Sequence, residues 1–145
     1  MRGLIQRVSE ASVIVDGQVC GEIGRGILLL LGVARGDSEP QADKMLHRVL
    51  SYRMFPDDEG RMNRSLRDIG GGLLVVSQFT LAAETDKGLR PSFSSAADPG
   101  QAKALYEHFV TQARLEHPVV QTGIFAADMK VRLLNDGPVT FLLET

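Results

Sequence analysis

The sequence predicts an α/β fold: a barrel-like sheet of about seven or eight strands with two helices packed outside it. Three observations predict it. Short runs of β-branched and apolar residues, separated by glycine-containing turns, dominate the first third of the chain. Two later stretches switch to the apolar spacing of a helix. Three further strand-like runs then close the chain.

The elements follow in order. Residues 4–8 and 12–15 read as strands, and Asp16-Gly17 is a strong hairpin turn into a strand over 18–23. Gly24-Arg25-Gly26 turns the chain into a run over 27–34, apolar enough to be buried on both faces. Ser38-x-x-Gln41 has the form of a capping box, and Ala42, Met45, Leu46, Val49 and Arg53 with Met54 follow helical spacing. Pro56 disfavours helix at Phe55, so this helix is expected to end near that pair. A polar stretch over 57–63 and the glycines 70–72 precede a buried strand over 73–76. Residues 82–98 carry no periodicity and read as a long loop, which in a compact domain is usually functional. Asp98-Pro99 opens the second helix, with Ala102, Leu105, Tyr106, Phe109 and Ala113 on its apolar stripe, and His117-Pro118 ends it. Strands are expected over 119–125, 130–134 and 139–143. With no repeat or linker, residues 1–145 read as one domain.

Composition excludes several classes. The net charge of −2 and a pI near 5.9 rule out a broadly basic nucleic-acid binder, while leaving room for a protein that grips a small part of one. A single cysteine, Cys20, excludes an intrachain disulfide and fits a reducing compartment. The apolar stretch of a signal peptide is missing, and no run is long enough to cross a bilayer. A cytoplasmic protein without membrane contact is the expectation.

Most chemical constellations fail on spacing. His47, His108 and His117 lack metal-ligand spacing. Cys20, mid-strand, reads as a small buried apolar residue. Gly21-x-x-Gly24-x-Gly26 precedes a strand rather than opening a helix, and Gly70-Gly71-Gly72 lacks the Lys-Ser/Thr of a phosphate loop. No cofactor or metal is called for.

Three segments survive. Ser77-Gln78-Phe79-Thr80-Leu81 sets two hydroxyls and an amide at the end of a buried strand, a place where backbone N–H groups can converge on one oxygen. It can equally be a polar strand end with a local turn. Lys87 and Arg90, with Phe93 nearby, could hold a phosphate and a base, or stand in an ordinary solvated loop. Gly137-Pro138 opens a strand-like run, either as a simple turn or as two carbonyls set rigidly toward a ligand.

Taken together, Ser77-Gln78-Phe79-Thr80-Leu81, the Lys87-Gly88-x-Arg90-Pro91-Ser92-Phe93 loop, Phe125-x-Ala127-Asp128-Met129 and Asn135-x-Gly137-Pro138-x-Thr140 resemble the D-aminoacyl-tRNA deacylases. All four stand in that family's order over the whole chain. The resemblance implies a homodimer in which Gly137-Pro138 of one subunit, joined by a cis bond, enters the pocket of the other and directs both carbonyls at the substrate α-amino group. Arg7 would anchor that segment, and Phe125 and Met129 would line the pocket. The substrate would be the ester at the acceptor end of aminoacyl-tRNA, gripped by Lys87 and Arg90. Backbone N–H groups of Phe79 and Thr80 would stabilise the oxyanion, Gln78 and Ser77 would orient the ribose or carbonyl, and the ribose 2′-hydroxyl would assist water. Thr80 as a covalent nucleophile is the alternative. L side chains would clash with the Gly-Pro backbone, whereas glycyl-tRNA(Ala) would pass. Two rival readings stay open: an esterase or amidase for a free small molecule, and a dimeric RNA-binding barrel.

Overall fold

The computed structural model describes residues 1–145. Its framework is a six-stranded sheet organised around β1 (Arg2–Val15), a 14-residue strand with three partners. One edge of β1 pairs antiparallel with β8 (Lys130–Glu144) along nearly its whole length. The other edge is shared. Residues 2–8 pair with β3 (Gly26–Gly32), and residues 11–15 with β2 (Gln18–Ile23). Asp16 and Gly17 make the two-residue turn between β1 and β2 with φ of 48° and 77°, the positive pair that an Asp-Gly hairpin favours.

Two parallel pairings extend the sheet. β3 pairs with β6 (Gly72–Ser77), and β6 with β7 (Val120–Thr122). The sheet curls until β2 approaches β7. A Cβ on Gly21 would stand 2.4 Å from the Thr122 carbonyl oxygen, so glycine permits the near-closure of the barrel.

The runs expected to be buried on both faces are so. Ile27, Leu29 and Leu31 on β3, with Leu73 and Val75 on β6, join the larger core beneath the helices. Leu28, Leu74 and Val76 point the other way, into the barrel, with Val8, Val13 and Ile23. This is the burial expected of parallel strands covered on both sides.

Helix α1 (Glu39–Ser51) contributes Met45, Leu46, Val49 and Leu50 to the larger core, and its Gln41 side chain accepts from the Ser38 N–H at 3.1 Å, the reach-back half of a capping box. The helix stops at Ser51, four residues before the expected end. Phe55–Pro56 is taken up as strand β4, paired with β5 (Met62–Arg64) in a small hairpin inside the stretch read only as polar. One turn of helix, α2 (Leu66–Ile69), had no sequence expectation, because four residues are too few for a periodic signal. It is held at its start by Ser65 and Asp68, whose carboxylate accepts from the Ser65 N–H at 2.7 Å. That bond and the Ser65 hydroxyl keep the Asp68 carboxyl below its ordinary pKa. Helix α3 (Pro99–Glu116) opens as expected, with Asp98 accepting from the N–H groups of Gly100 and Gln101.

Three strand expectations are corrected. Residues 4–8 and 12–15 belong to one strand, because Ser9 and Glu10 stay extended while β1 changes partner from β3 to β2. The strand expected over 119–125 shortens to Val120–Thr122. Residues 130–134 and 139–143 form one strand interrupted by a bulge. Cys20 is exposed rather than buried, since along β2 only Gly21 and Ile23 turn inward.

Gly26→Ala tests the parallel pairing. A Cβ there would stand 1.9 Å from the Gly72 carbonyl oxygen, a backbone atom that can move only with its strand. The urea midpoint should fall by the equivalent of about 1–3 kcal/mol with an unchanged slope.

Candidate active site

Past Ser77, β6 loses its ladder partner and the chain changes character. Gln78 still donates its N–H to the Leu31 carbonyl at 2.8 Å, after which Phe79–Ala82 forms a single 3₁₀ turn. Phe79 and Thr80 are the first residues of that turn, where N–H groups have no partner within it. The turn is held from outside. Arg2 Nη1 donates to the Leu81 carbonyl at 2.8 Å, and Ser95 Oγ to the Ala82 carbonyl at 2.6 Å. From below it rests on Gly32, where a Cβ would meet Leu81 Cβ at 2.9 Å and the Gln78 carbonyl at 3.0 Å. Gln78 Nε2 donates to Thr80 Oγ1, so the amide and the hydroxyl of the motif are joined.

This corner forms one wall of a pocket of about 500 Å³. Ser77, Gln78 and Phe79 line it together with Phe125 and Met129, and most of the remaining lining is apolar, including Leu31, Ala97 and Tyr106. Tyr106 is buried, its ring 5.7 Å from that of Phe125, and its hydroxyl donates to the Val75 carbonyl at 3.0 Å. Burial pushes the phenol up to about 12, with Arg114 pulling weakly the other way. The same Val75 carbonyl accepts from the Gly123 N–H at 3.0 Å. Tyr106 thereby ties α3 to the strand carrying Ser77 and to the segment carrying Phe125. Ala126, at the pocket's edge, has φ of 63°, an uncommon conformation for a residue with a Cβ.

The remaining candidates lie in two other places. Phe79 is 62% exposed, and its ring stands 5.1 Å from that of Phe93, which brings the 84–93 loop to the pocket's mouth. Lys87 and Arg90 are exposed in that loop, closed at its base by the Glu84–Ser92 pair, and neither forms an ion pair. Gly137 and Pro138 are not part of this chain's pocket. Between the Gln6–Thr140 and Val8–Asn135 pairs, β8 has four residues where β1 has one, so 136–139 bulge out of the ladder. The Gly137–Pro138 bond is cis, Gly137 has φ of 147°, and both residues are exposed.

Arg7 holds the bulge. Its Nε donates to the Asp136 carbonyl at 2.8 Å and its Nη1 to the Met54 carbonyl at 2.8 Å, with the Asp136 carboxylate 3.6 Å away. The Asn135 side chain accepts from the Val139 N–H at 2.7 Å and donates to Thr140 Oγ1 at 2.9 Å, replacing ladder bonds that the bulge removes. The structure thus gathers Ser77, Gln78, Phe79, Phe125 and Met129 at one pocket with Thr80 beside it. Gly137, Pro138 and Arg7 gather at a separate projection.

The histidines stand apart. His47 is exposed, His108 bonds Asp43 at 2.7 Å between α3 and α1, and buried His117 bonds the Gly71 carbonyl at 2.6 Å. No three His, Cys, Asp or Glu side chains converge as a metal-binding group. Sequence reasoning missed Tyr106 as a pocket residue because a helical apolar stripe hides which face also meets a cavity. It missed Arg2 and Gly32 because their contacts with the turn are distant in sequence.

The family model described as D-Tyr-tRNA(Tyr) deacylase matches residues 4–144. The chain belongs to this family. With it the chain joins the aminoacyl-tRNA deacylases, hydrolases of tRNA editing. A D-aminoacyl-tRNA deacylase of Cellvibrio japonicus (strain Ueda107) is 64% identical over 144 residues, 99% of each chain. The solved structure of a c-Myc DNA unwinding element binding protein superposes with a TM-score of 0.96 at 38% identity, covering 100% of this chain and 99% of that one. A probable eukaryotic D-amino acid tRNA deacylase superposes with a TM-score of 0.83 at 18% identity, over 99% and 98% of the two chains, a likeness of fold. No helix here is long and apolar enough to cross a membrane.

Tyr106→Phe should cost about 1 kcal/mol, the net worth of one buried hydrogen bond, since the Val75 carbonyl keeps its Gly123 partner. The raised phenol favours the folded state fully below the ordinary tyrosine pKa of about 10 and loses that contribution as pH rises toward about 12. Urea titrations of the variant across this window should lack that share of the alkaline loss.

Proposed function

We propose that this chain hydrolyses the ester of D-aminoacyl-tRNA, releasing the free D-amino acid and tRNA, with residues 1–145 acting as one deacylase domain in the cytoplasm. The observation that carries the reading is the 3₁₀ turn at the end of β6, whose first N–H groups have no partner within the turn and which adjoins a pocket of about 500 Å³. The N–H groups of Phe79 and Thr80 stabilise the oxyanion that forms as water attacks the ester carbonyl. Gln78, joined to the Thr80 hydroxyl, and Ser77 orient the ribose or the carbonyl. The ribose 2′-hydroxyl assists the water, which fits a Thr80 hydroxyl bonded by Gln78 rather than by a base, and an Asp128 on the pocket lining that is paired with Lys130.

The chain acts as a homodimer. The projecting Gly137-Pro138 bulge of one subunit enters the pocket of the other and sets its carbonyls at the substrate α-amino group, while Phe125 and Met129 line that pocket. Arg7 anchors the bulge by its two carbonyl contacts. An L side chain then meets the Gly-Pro backbone and a D side chain points away, so selection works by clash. Glycyl-tRNA(Ala) has no side chain to reject and is also a substrate. Lys87 and Arg90, free of ion pairs at the pocket mouth, take phosphates at the acceptor end.

Hydrolysis of D-tyrosyl-tRNA beside L-tyrosyl-tRNA, with and without EDTA, tests the reading. Selective loss of the D ester is expected; survival of both esters would overturn it. Thr80→Ala should keep the rate within about threefold of wild type, whereas Thr80→Pro, lacking the N–H, should lose about 100-fold or more. A collapse of the alanine variant would instead make Thr80 the nucleophile.

Gly137→Ala would put a Cβ 2.6 Å from Val139 Cγ2 and 3.2 Å from Arg7 Nη2, at a φ that side chains avoid. D-tyrosyl-tRNA turnover should fall at least about tenfold, and L-tyrosyl-tRNA should begin to be cleaved. Unchanged kinetics on both esters would count against the carbonyl filter.

A further inference from the structure

We infer that the groove between the end of α1 and β8, lined by His47, Arg48, Tyr52, Arg53 and Phe141, is a track for the acceptor-strand phosphates of the substrate tRNA. This surface carries part of the substrate on the subunit that donates the Gly-Pro bulge, and the inference rests on the proposed function.

Charge is the first observation. The acids of α1, Glu39 and Asp43, face α3, where both meet His108 at 3.7 and 2.7 Å. The rest of the helix surface presents Lys44, His47 and Arg48, and none of these pairs with a carboxylate. Arg48 donates to the Glu144 backbone carbonyl at 2.6 Å, and Arg53 to the Asn63 carbonyl at 3.1 Å. Both partners are neutral; Arg53 also acts through space on the Asp68 carboxylate, whereas Arg48 has no carboxylate partner. The neighbouring acids are engaged elsewhere: Glu144 with Arg2 at 2.9 Å, Asp58 with Arg64 at 2.8 Å, Glu59 with Arg61 at 3.3 Å. Asp57 stays a full carboxylate, accepting from the N–H groups of Glu59 and Arg61 and from the Asn63 amide, which stands between it and Arg53. In a chain of net charge −2, Lys44 and Arg48 are two cations of this helix without a carboxylate partner.

The second observation is shape. The groove measures about 490 Å³, and the Tyr52 and Phe141 rings, 5.2 Å apart, give it an aromatic wall. Cations along a groove beside an aromatic face suit single-stranded nucleic acid, which lays phosphates on the first and sugars or bases on the second.

Position is the third. Arg7 binds the carbonyls of Met54 and Asp136 with one guanidinium, so the chain just after Arg53 touches the base of the Gly137-Pro138 bulge. If that bulge enters a second copy's pocket, as proposed, the segment leaving α1 is carried with it toward the mouth of the same pocket. An ester held there leaves its 3′ strand running over both subunits, with Lys87 and Arg90 of one and the α1 groove of the other.

The experiment compares wild type, the double variant Arg48→Gln/Arg53→Gln, and His47→Glu on an exposed, unpartnered side chain in case the double variant is unstable. Each is assayed on D-tyrosyl-tRNA and on D-tyrosyl-adenosine, which carries the same ester without further phosphates, across a KCl series. The expected result is a KM for the tRNA ester raised about tenfold with kcat within about twofold. The slope of log kcat/KM against log salt should flatten by about 0.7 for each phosphate contact removed. Hydrolysis of the adenosine ester should be unchanged. Unaltered KM and salt slope on tRNA would overturn the inference, as would equal losses on both substrates, which mark a structural role. If wild type cleaves neither ester, the proposed function has failed, and the groove is judged by fluorescence anisotropy with uncharged tRNA: weaker binding by the variants supports it, equal binding overturns it.

Discussion

The parallel pairing of β3 with β6 is the constraint on which the rest of the molecule depends. Gly26 and Gly72 face each other at its start, close enough that the first leaves no room for a side chain. From there the side chains of both strands alternate between the helix-covered core and the barrel interior, so neither strand has a solvent face. A one-residue slip would exchange those two sets, and each is shaped for its own side. The register therefore fixes where β6 runs out of partner. It ends at Ser77 against Leu31, with one further bond from Gln78, and the 3₁₀ turn begins at once. The location of the turn follows from the packing of the sheet.

A second constraint, independent of the first, fixes the Gly137-Pro138 projection. β8 spans most of β1, yet gives up its register between Thr140 and Asn135. A bulge of this size leaves backbone groups without ladder partners, and those groups must be satisfied in other ways. Asn135 takes the Val139 N–H, and Arg7 takes the Asp136 carbonyl. Gly137 and Pro138, beyond Asp136, are exposed residues. Arg7 also binds Met54, so the projection is braced against the segment leaving α1 rather than against its own strand alone.

How much of this was legible in the sequence varies with the distance over which each signal acts. The Asp16-Gly17 turn, the Asp98-Pro99 helix start and the doubly buried strands were readable because a few adjacent residues decide them. The continuity of β1 was not, since Ser9 and Glu10 look like a break, and across it β1 is paired only with β8, through Val8 and Glu10. Cys20 was misread because hydrophobic alternation is weak in a six-residue strand in which only Gly21 and Ile23 are buried. The pocket motif was legible as a polar corner after a buried run. Its supports, Arg2, Gly32 and Tyr106, belong to remote segments, and no local pattern marks them. The separation of the candidate residues into a pocket and a projection is likewise a property of the folded chain.

That separation bears on how a single site can tell mirror images apart. The pocket is mostly apolar, and apolar contacts distinguish side chains weakly, by about 1–3 kcal/mol per methylene. Inverting the α-carbon changes no group on the substrate; it exchanges the positions of hydrogen and side chain. Discrimination then requires that the other two substituents be held rigidly. On the proposed reading, the N–H groups at Phe79 and Thr80 hold the ester carbonyl and the Gly137-Pro138 carbonyls hold the amino group. Both clamps are backbone, and each is braced: the turn by Gly32, Arg2 and Ser95, the bulge by Arg7 and Asn135. With two substituents fixed, the remaining two positions are unequal, one open and one against a backbone that cannot recede. Every side chain beyond hydrogen is then judged by direction alone. A filter of this kind would be indifferent to side-chain identity.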